Sequence, residues 1–277
     1  MKRISETRKD YIANIRCDIL EELFQLVKQK GYKDLSRYQY LEEVRQAYDE
    51  VYIKRVYKTP EKCQQYSNLK EAMKKDDGKT EEGNLMVRMA KEEDLPLLLE
   101  YEKKKSEKQY SEEVLEVCAK DYYTNTASLY CIIFHNSDNR IIGYCGINNF
   151  YREYIDVAVE IIEEYRGYGY GYESLKKYFQ MLHKYKWAEM KEVFIVIEPD
   201  NIRSQKLFAK LGAQFERLDW YDLPPEKAEE YERSHLDLID KDLECLASKL
   251  CVEPRCLLSK VLVYKVNLIQ CSECAEG

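Results

Sequence analysis

No run of apolar residues in this chain approaches the roughly 18 needed to cross a membrane. The opening stretch, MKRISETRKDY, is basic but lacks the apolar core of a secretory signal. The expectation is a cytoplasmic protein whose ten cysteines are mostly reduced, with no membrane partner. An excess of positive charge is missing too: 44 Lys and Arg stand against 51 Asp and Glu, a net charge of −7. A phosphate-backbone partner needs a basic face, so no nucleic acid is expected. The acidic balance instead favours a cationic substrate such as an amine. There is no internal repeat and no low-complexity tract. His135, His183 and His235 fall in no constellation. Cys271 and Cys274 make a single CxxC. One pair cannot complete a four-ligand zinc site, and no βαβ unit surrounds it, so no metal is expected.

Hydrophobic residues at 45% are enough for a packed core in 277 residues, and tyrosine is unusually frequent at 25 copies. Most of these tyrosines read as core-edge positions, a ring buried and a hydroxyl left for water or a partner. Residues 1–75 read as helical. Ile12, Ile15, Ile19, Leu23 and Val27 fall three and four apart. Ser36 and Gln39 form a capping box for a second helix, and Thr59-Pro60 opens a third. Their apolar stripes must be covered by one another, by the next domain, or by a second copy of the chain in a homodimer. Lys74 to Gly83 is charged and glycine-punctuated, a linker. The expected division is therefore a helical region and linker over 1–82 and a second domain over 83–277.

From residue 84 strands and helices alternate. Strands are expected at 85–89, 128–134, 141–147, 155–161, 193–197, 214–221 and 261–268, with a hairpin signal at Asn136–Asn139. Helices are expected at 92–104, 111–122, 170–185 and 202–211, and one long charged helix inserted over about 224–250. The pattern is α/β (α+β), a mixed sheet flanked by helices.

Chemistry concentrates in residues 155–212. In the strand IDVAVEI, Val157, Val159 and Ile161 point one way, while Asp156, Ala158 and Glu160 point the other. The strand leads to Arg166-Gly167-Tyr168-Gly169-Tyr170-Gly171 and straight into a helix. Backbone N–H groups at a helix start are unpaired and partly positive, and glycines let a diphosphate approach them. The glycine spacing is not that of a dinucleotide fold, and no GK[ST] follows, which excludes a P-loop.

Arg166-x-x-Gly169-x-Gly171 resembles the (Q/R)-x-x-G-x-(G/A) signature of the GNAT superfamily of N-acetyltransferases. About thirty residues later, Asn201-x-x-Ser204-x-x-Leu207-Phe208-x-Lys210-x-Gly212 resembles that family's second signature. The resemblance covers residues 84–221, with Val261–Leu268 as a final strand, and implies a mostly antiparallel sheet. It implies that acetyl-CoA is the cosubstrate and that an amine-bearing acceptor, small molecule or peptide, attacks it directly in a ternary complex. It further implies that backbone groups of Glu160, Ile161 and Ile162 face the pantetheine arm, with an N–H near Ile161 for the oxyanion. Arg166 and the amides of Gly167, Tyr168, Gly169, Tyr170 and Gly171 would hold the pyrophosphate. Asn201, Ser204 and Phe208 would line the arm. Asp156 and Glu160 are the candidate bases, with Glu198 in reserve. Phe208 stands where the family often has a tyrosine as general acid. Tyr165, Tyr168, Tyr170 or Tyr221 could substitute, the thiolate could leave unaided, or the domain could be a non-catalytic acyl-CoA-binding or scaffolding module. A different enzyme type using the glycine turn for a nucleotide is a third reading.

Overall fold

The computed structural model describes residues 4, 6–12, 29, 60–75, 83–105, 110–125, 127–149, 155–185, 191–220 and 225–268. Most of the expected N-terminal stripe beyond Ile12, the helix following Ser36, most of the linker and the Cys271/Cys274 pair lie outside them. Residues 6–12 are helical, and α1 (Pro60–Lys75) begins at the proline whose fixed φ suits a first helical position. Among the described residues, no helix is long and apolar enough to cross a membrane.

The elements that follow are β1 (Leu85–Met89), α2 (Leu95–Lys105), α3 (Glu112–Thr124), β2 (Leu129–His135), β3 (Arg140–Ile147), β4 (Val157–Ile161) and α4 (Tyr170–Lys184). Then come β5 (Glu192–Ile197), α5 (Ile202–Lys210), β6 (Gln214–Trp220), α6 (Pro225–Ser234), α7 (Lys241–Leu250), α8 (Cys256–Ser259) and β7 (Lys260–Asn267). The architecture is α/β (α+β), with sheets flanked by helices. β1-β2-β3-β4 form an antiparallel meander, and the remaining strands form a sheet of order β5-β7-β6. The hairpin turn falls at 136–139, where Asn139 takes a left-handed φ of 49° that asparagine tolerates.

The expected long helix over 224–250 is two helices. α6 ends where Ser234 Oγ turns back to Glu230 O (3.0 Å) and Tyr231 O (3.1 Å), and His235 stacks on Tyr231 at 4.2 Å. Asp240 then caps α7, its carboxylate accepting from Leu243 N–H at 2.9 Å. No glycine or proline marks the break. Its one local signal is the capping aspartate.

The chain divides into two compact units. One comprises 1–56, 197–203 and 216–263; the other comprises 57–196, 204–215 and 264–277. In the first unit, α8 packs on α6, and Ser259 Oγ donates to the buried Glu232 carboxylate. Arg8, 1% exposed, donates to Leu258 O (3.2 Å) and Lys260 O (3.3 Å) and pairs with Glu198. In the second unit, α2 packs on β3 and α3 on β2, while α4 packs on β1, β3 and β4. The central strands β2 and β3 are buried on both faces for most of their length, as strands covered on both sides must be. Tyr178 of α4 is fully buried and staples two strands. Its hydroxyl donates to Leu129 O (2.9 Å) and accepts from Ile147 N–H (3.2 Å).

Candidate functional site

The second unit contains a fork between β4 and β5. Phe194 N–H donates to Ile155 O at 2.9 Å, and Asp156 and Phe194 form a single parallel bridge. Beyond that point the two strands belong to different sheets. In an antiparallel ladder, alternate residues turn both backbone polar groups to the same neighbour. Asn148 N–H donates to Asp156 O (3.0 Å) and Ile162 N–H to Ile142 O (2.9 Å), with Gly146 opposite Ala158 and Tyr144 opposite Glu160. The even-numbered residues of β4 therefore direct their backbone to β3. Val157, Val159 and Ile161 direct theirs to the other edge, in phase with the bond from Phe194 to Ile155.

This register corrects two expectations. The backbone of Ile162 is engaged away from the fork: its N–H donates to Ile142 O, and its carbonyl accepts from Tyr165 N–H at 3.0 Å. The backbone of Glu160 likewise faces β3. The edge groups toward the fork belong to Ile161 and to Val159, which the sequence reading did not single out. Period-two alternation assigns side chains to faces, but it does not say which edge a peptide group points to.

The glycine turn stands just beyond the end of β4. Gly167 and Gly169 have φ of +92° and +86°, and a Cβ at either would meet no protein atom within 4 Å. The backbone conformation, not crowding by the protein, demands glycine there. Gly169 caps α4, whose first ladder donors are Tyr172 (3.0 Å) and Glu173 (3.1 Å), both to Gly169 O. The amides of Gly167, Tyr168, Gly169, Tyr170 and Gly171 precede that ladder, at the partly positive end of the helix. Arg166 Nε donates to Ile161 O at 2.7 Å and ties the turn to the strand. A Cβ on Gly171 would lie 3.4 Å from Leu207 Cδ1, so α5 approaches the start of α4 closely. Tyr168, 71% exposed, stacks on Tyr170 at 5.8 Å. Tyr170 meets His135 Nε2 at 3.2 Å, and Tyr165 donates to Asp138 Oδ2 at 2.6 Å, so the hairpin braces the turn.

The even face of β4 carries a cluster that sequence reasoning missed. Tyr144 lies directly across from Glu160, and Tyr130 packs on Tyr144 at 5.0 Å. Tyr122 of α3 meets Tyr144 at 5.5 Å and Tyr101 of α2 at 6.1 Å. Tyr122 donates to Glu102 Oε1 at 2.9 Å. Lys105 Nζ lies 3.5 Å from Glu102 Oε1 and 3.5 Å from Glu160 Oε2. Tyr130 donates to Asn148 Oδ1 (2.9 Å), and Asn148 Nδ2 donates to Asp156 Oδ2 (2.5 Å). Asp156 and Glu160 thus join one network, at opposite ends of β4. Asp156 is 9% exposed and sits at the closed end of the fork; the Glu160 side chain is 31% exposed. Burial, and after it the Glu160 carboxylate, pushes the phenols of Tyr144 and Tyr101 well above the usual tyrosine range. These tyrosines stay neutral at any physiological pH. The available signal was the four-residue spacing of Tyr101 and Lys105 on one helix face.

Residues 84–214 match the family model described as an acetyltransferase (GNAT) domain. That region is similar to the GNAT acetyltransferases. No curated protein matches the chain. Among solved structures, it is similar to the spermidine N-acetyltransferase of Vibrio cholerae in complex with CoA and spermine. That protein is 11% identical, over 68% of this chain and 98% of the other, with a TM-score of 0.44. The ribosomal-protein-S5-alanine acetyltransferase of Vibrio fischeri is 14% identical over 67% and 94%, with a TM-score of 0.43. A GNAT-family acetyltransferase of Bacillus anthracis is 13% identical over 68% and 96%, with a TM-score of 0.43.

The second GNAT-like motif is divided between the units. Ser204, half-buried, and Phe208, 3% exposed, lie on α5 in the unit that holds the fork. Asn201 lies in the other unit, exposed, its N–H donating to Glu198 O at 2.9 Å. Glu198, the reserve base, is paired with the buried Arg8 guanidinium. Phe208 has no proton to give. Of the substitutes, Tyr165 and Tyr170 are bonded to the hairpin, Tyr168 is exposed, and Tyr221 lies outside the described residues. Among the described residues, no group of three or more His, Cys, Asp or Glu is placed to hold a metal ion.

Proposed function

We propose that this protein is an N-acetyltransferase that moves an acetyl group from acetyl-CoA to a primary amine by direct attack in a ternary complex. The observation that carries the reading is the fork: one parallel bridge closes it, and its open β4 edge leads to a turn of ladder-free amides. The residues present fit the cosubstrate. Val159 and Ile161 turn backbone donors and acceptors to the edge where the amides of a pantetheine arm can pair like an added strand. The amides of Gly167 to Gly171 receive the diphosphate, favoured by the helix dipole. Ser204 and Phe208 line the arm from α5.

Acetyl-CoA supplies the activated acyl group as a thioester. An edge N–H, that of Ile161 or Val159, donates to the acetyl oxygen and stabilises the negative charge that develops there. Glu160 takes the proton of the attacking amine, which in water holds it up to a pKa of about 10.4. Asp156, buried and bonded to Asn148, orients the tyrosine network behind it. A thiol with a pKa of about 8.5 can leave without a protonating group, consistent with phenylalanine at 208.

The test is calorimetric titration with acetyl-CoA, wild type against Gly169→Asp. Wild type should bind saturably. The variant should lose binding, because it puts a carboxylate beside the diphosphate and strains a left-handed φ by about 1–2 kcal/mol. Absence of binding by folded wild-type protein refutes the reading. Phe208 favours a second reading, a CoA-binding module without turnover. Binding without thiol release across a panel of alkylamines and peptide N-termini would select it.

A further inference from the structure

At the centre of the tyrosine cluster sits a cation supplied by the chain itself. Lys105 ends α2, and its Nζ lies between Glu102 and Glu160, at 3.5 Å from each. It also donates to the Tyr122 hydroxyl at 3.4 Å and lies over the rings of Tyr144 and Tyr101, at 5.3 and 5.8 Å. An acceptor amine in the proposed reaction needs these same surroundings. Aromatic faces hold it while it is charged. A carboxylate takes its proton. The β4 edge must be near, and the two residues flanking Glu160, Val159 and Ile161, are the ones that present their backbone to the fork, with Cα atoms about 3.8 Å from that of Glu160. The neighbouring Lys104 is paired differently: its Nζ is 3.9 Å from Glu100 and from Glu164.

We propose that Lys105 is itself an acceptor, a site of self-acetylation within the same chain. The inference rests on the transferase reading above and names one amine which that site can reach. The Lys105 ammonium passes a proton to the Glu160 carboxylate, and the neutral Nζ attacks the thioester carbonyl carbon. The N–C bond forms, the attacking nitrogen gives up its second proton to water, the C–S bond breaks, and the departing thiolate takes the proton held by Glu160. The products are Nζ-acetyl-Lys105, free CoA thiol and one released proton. Acetylation discharges the cation that joins α2 to β4, and leaves Glu102 and Glu160 to an external ammonium.

The experiment incubates the full chain with acetyl-CoA and follows lysine occupancy by peptide mass spectrometry, over a range of protein concentrations. Thiol release with added n-butylamine is measured in parallel. The expected result is acetylation of Lys105 far ahead of Lys104, with a first-order rate independent of protein concentration. Glu160→Gln should slow it by about 100-fold. Lys105→Arg keeps the charge and should abolish the thiol release seen without added amine. Lys105 modified no faster than Lys104, while n-butylamine releases thiol, overturns the proposal and leaves the transferase reading standing. A rate that scales with protein concentration overturns the intramolecular route. Absence of both reactions in protein that binds acetyl-CoA removes the transferase reading and this proposal together.

Discussion

Replacing Glu160 by glutamine isolates the proton-transfer half of the proposed reaction. The substitution keeps the size and strand position of the side chain and removes its charge. Its ion pair with Lys105 joins two side chains each 31% exposed, and Lys105 retains Glu102. The change in folding stability should therefore stay below about 1 kcal/mol. Affinity for acetyl-CoA should be unchanged, because the backbone of Glu160 faces β3 and not the fork. A positioned general base contributes about 10²–10⁴-fold, which is about 3–5 kcal/mol of barrier. The turnover number at neutral pH should fall by that factor. As pH approaches the amine's own pKa of about 10.4, the free amine no longer needs a base, so the gap between variant and wild type should narrow. Thiol release measured across the pH range, with calorimetry as the binding control, reads both effects. A folded variant with normal cosubstrate affinity and a turnover within about threefold of wild type would refute Glu160 as the base.

Two further predictions concern the scaffold. Tyr178→Phe leaves the Leu129 carbonyl and the Ile147 N–H without the hydroxyl that joins them. The loss should be about 1–3 kcal/mol, read as a lower urea midpoint at unchanged slope; an unchanged midpoint would show that the hydroxyl does not staple the strands. Lys70 is buried and donates to Asn125 O and Ser128 O, and burial pulls its pKa from 10.5 down to about 8. Its folded pKa lies below the unfolded one, so the unfolded chain binds more protons between these values, and stability should rise with pH from about 8 toward 10. Lys70→Met should flatten that rise, and parallel pH profiles for the two proteins would refute the assignment.

Local sequence carried much of the element order. The strands at 85–89 and 129–147, the turn at 136–139, the glycine turn and the helix after it depend on alternation, turn chemistry and glycine placement, which are readable within a few residues. Helix-breaker residues did not mark every boundary. The break between α6 and α7 involves stacking of His235 on Tyr231 and a cap at Asp240, with no helix breaker in the sequence. Long-range contacts were not legible either. Arg8 closes on Glu198, Leu258 and Lys260, nearly two hundred residues away or more, and no local signal near residue 8 announces those partners.

The site shows the same partition. The sequence by itself determined the amides of the glycine turn, because left-handed φ at 167 and 169 and the helix that follows are properties of adjacent residues. It also determined that Asp156 and Glu160 share a face of β4, because strand side chains alternate. Only tertiary structure decided which backbone groups meet the fork. That depends on which neighbour pairs with the even residues of β4, and strand pairing is a long-range choice that leaves no trace in the strand's own residues. The assembly of Tyr101, Tyr122, Tyr130 and Tyr144 around Lys105 came the same way. Two helices and a hairpin must pack before those side chains share a space, and burial then keeps the phenols of Tyr101, Tyr122 and Tyr144 neutral and sets one lysine against the carboxylate proposed to do the chemistry.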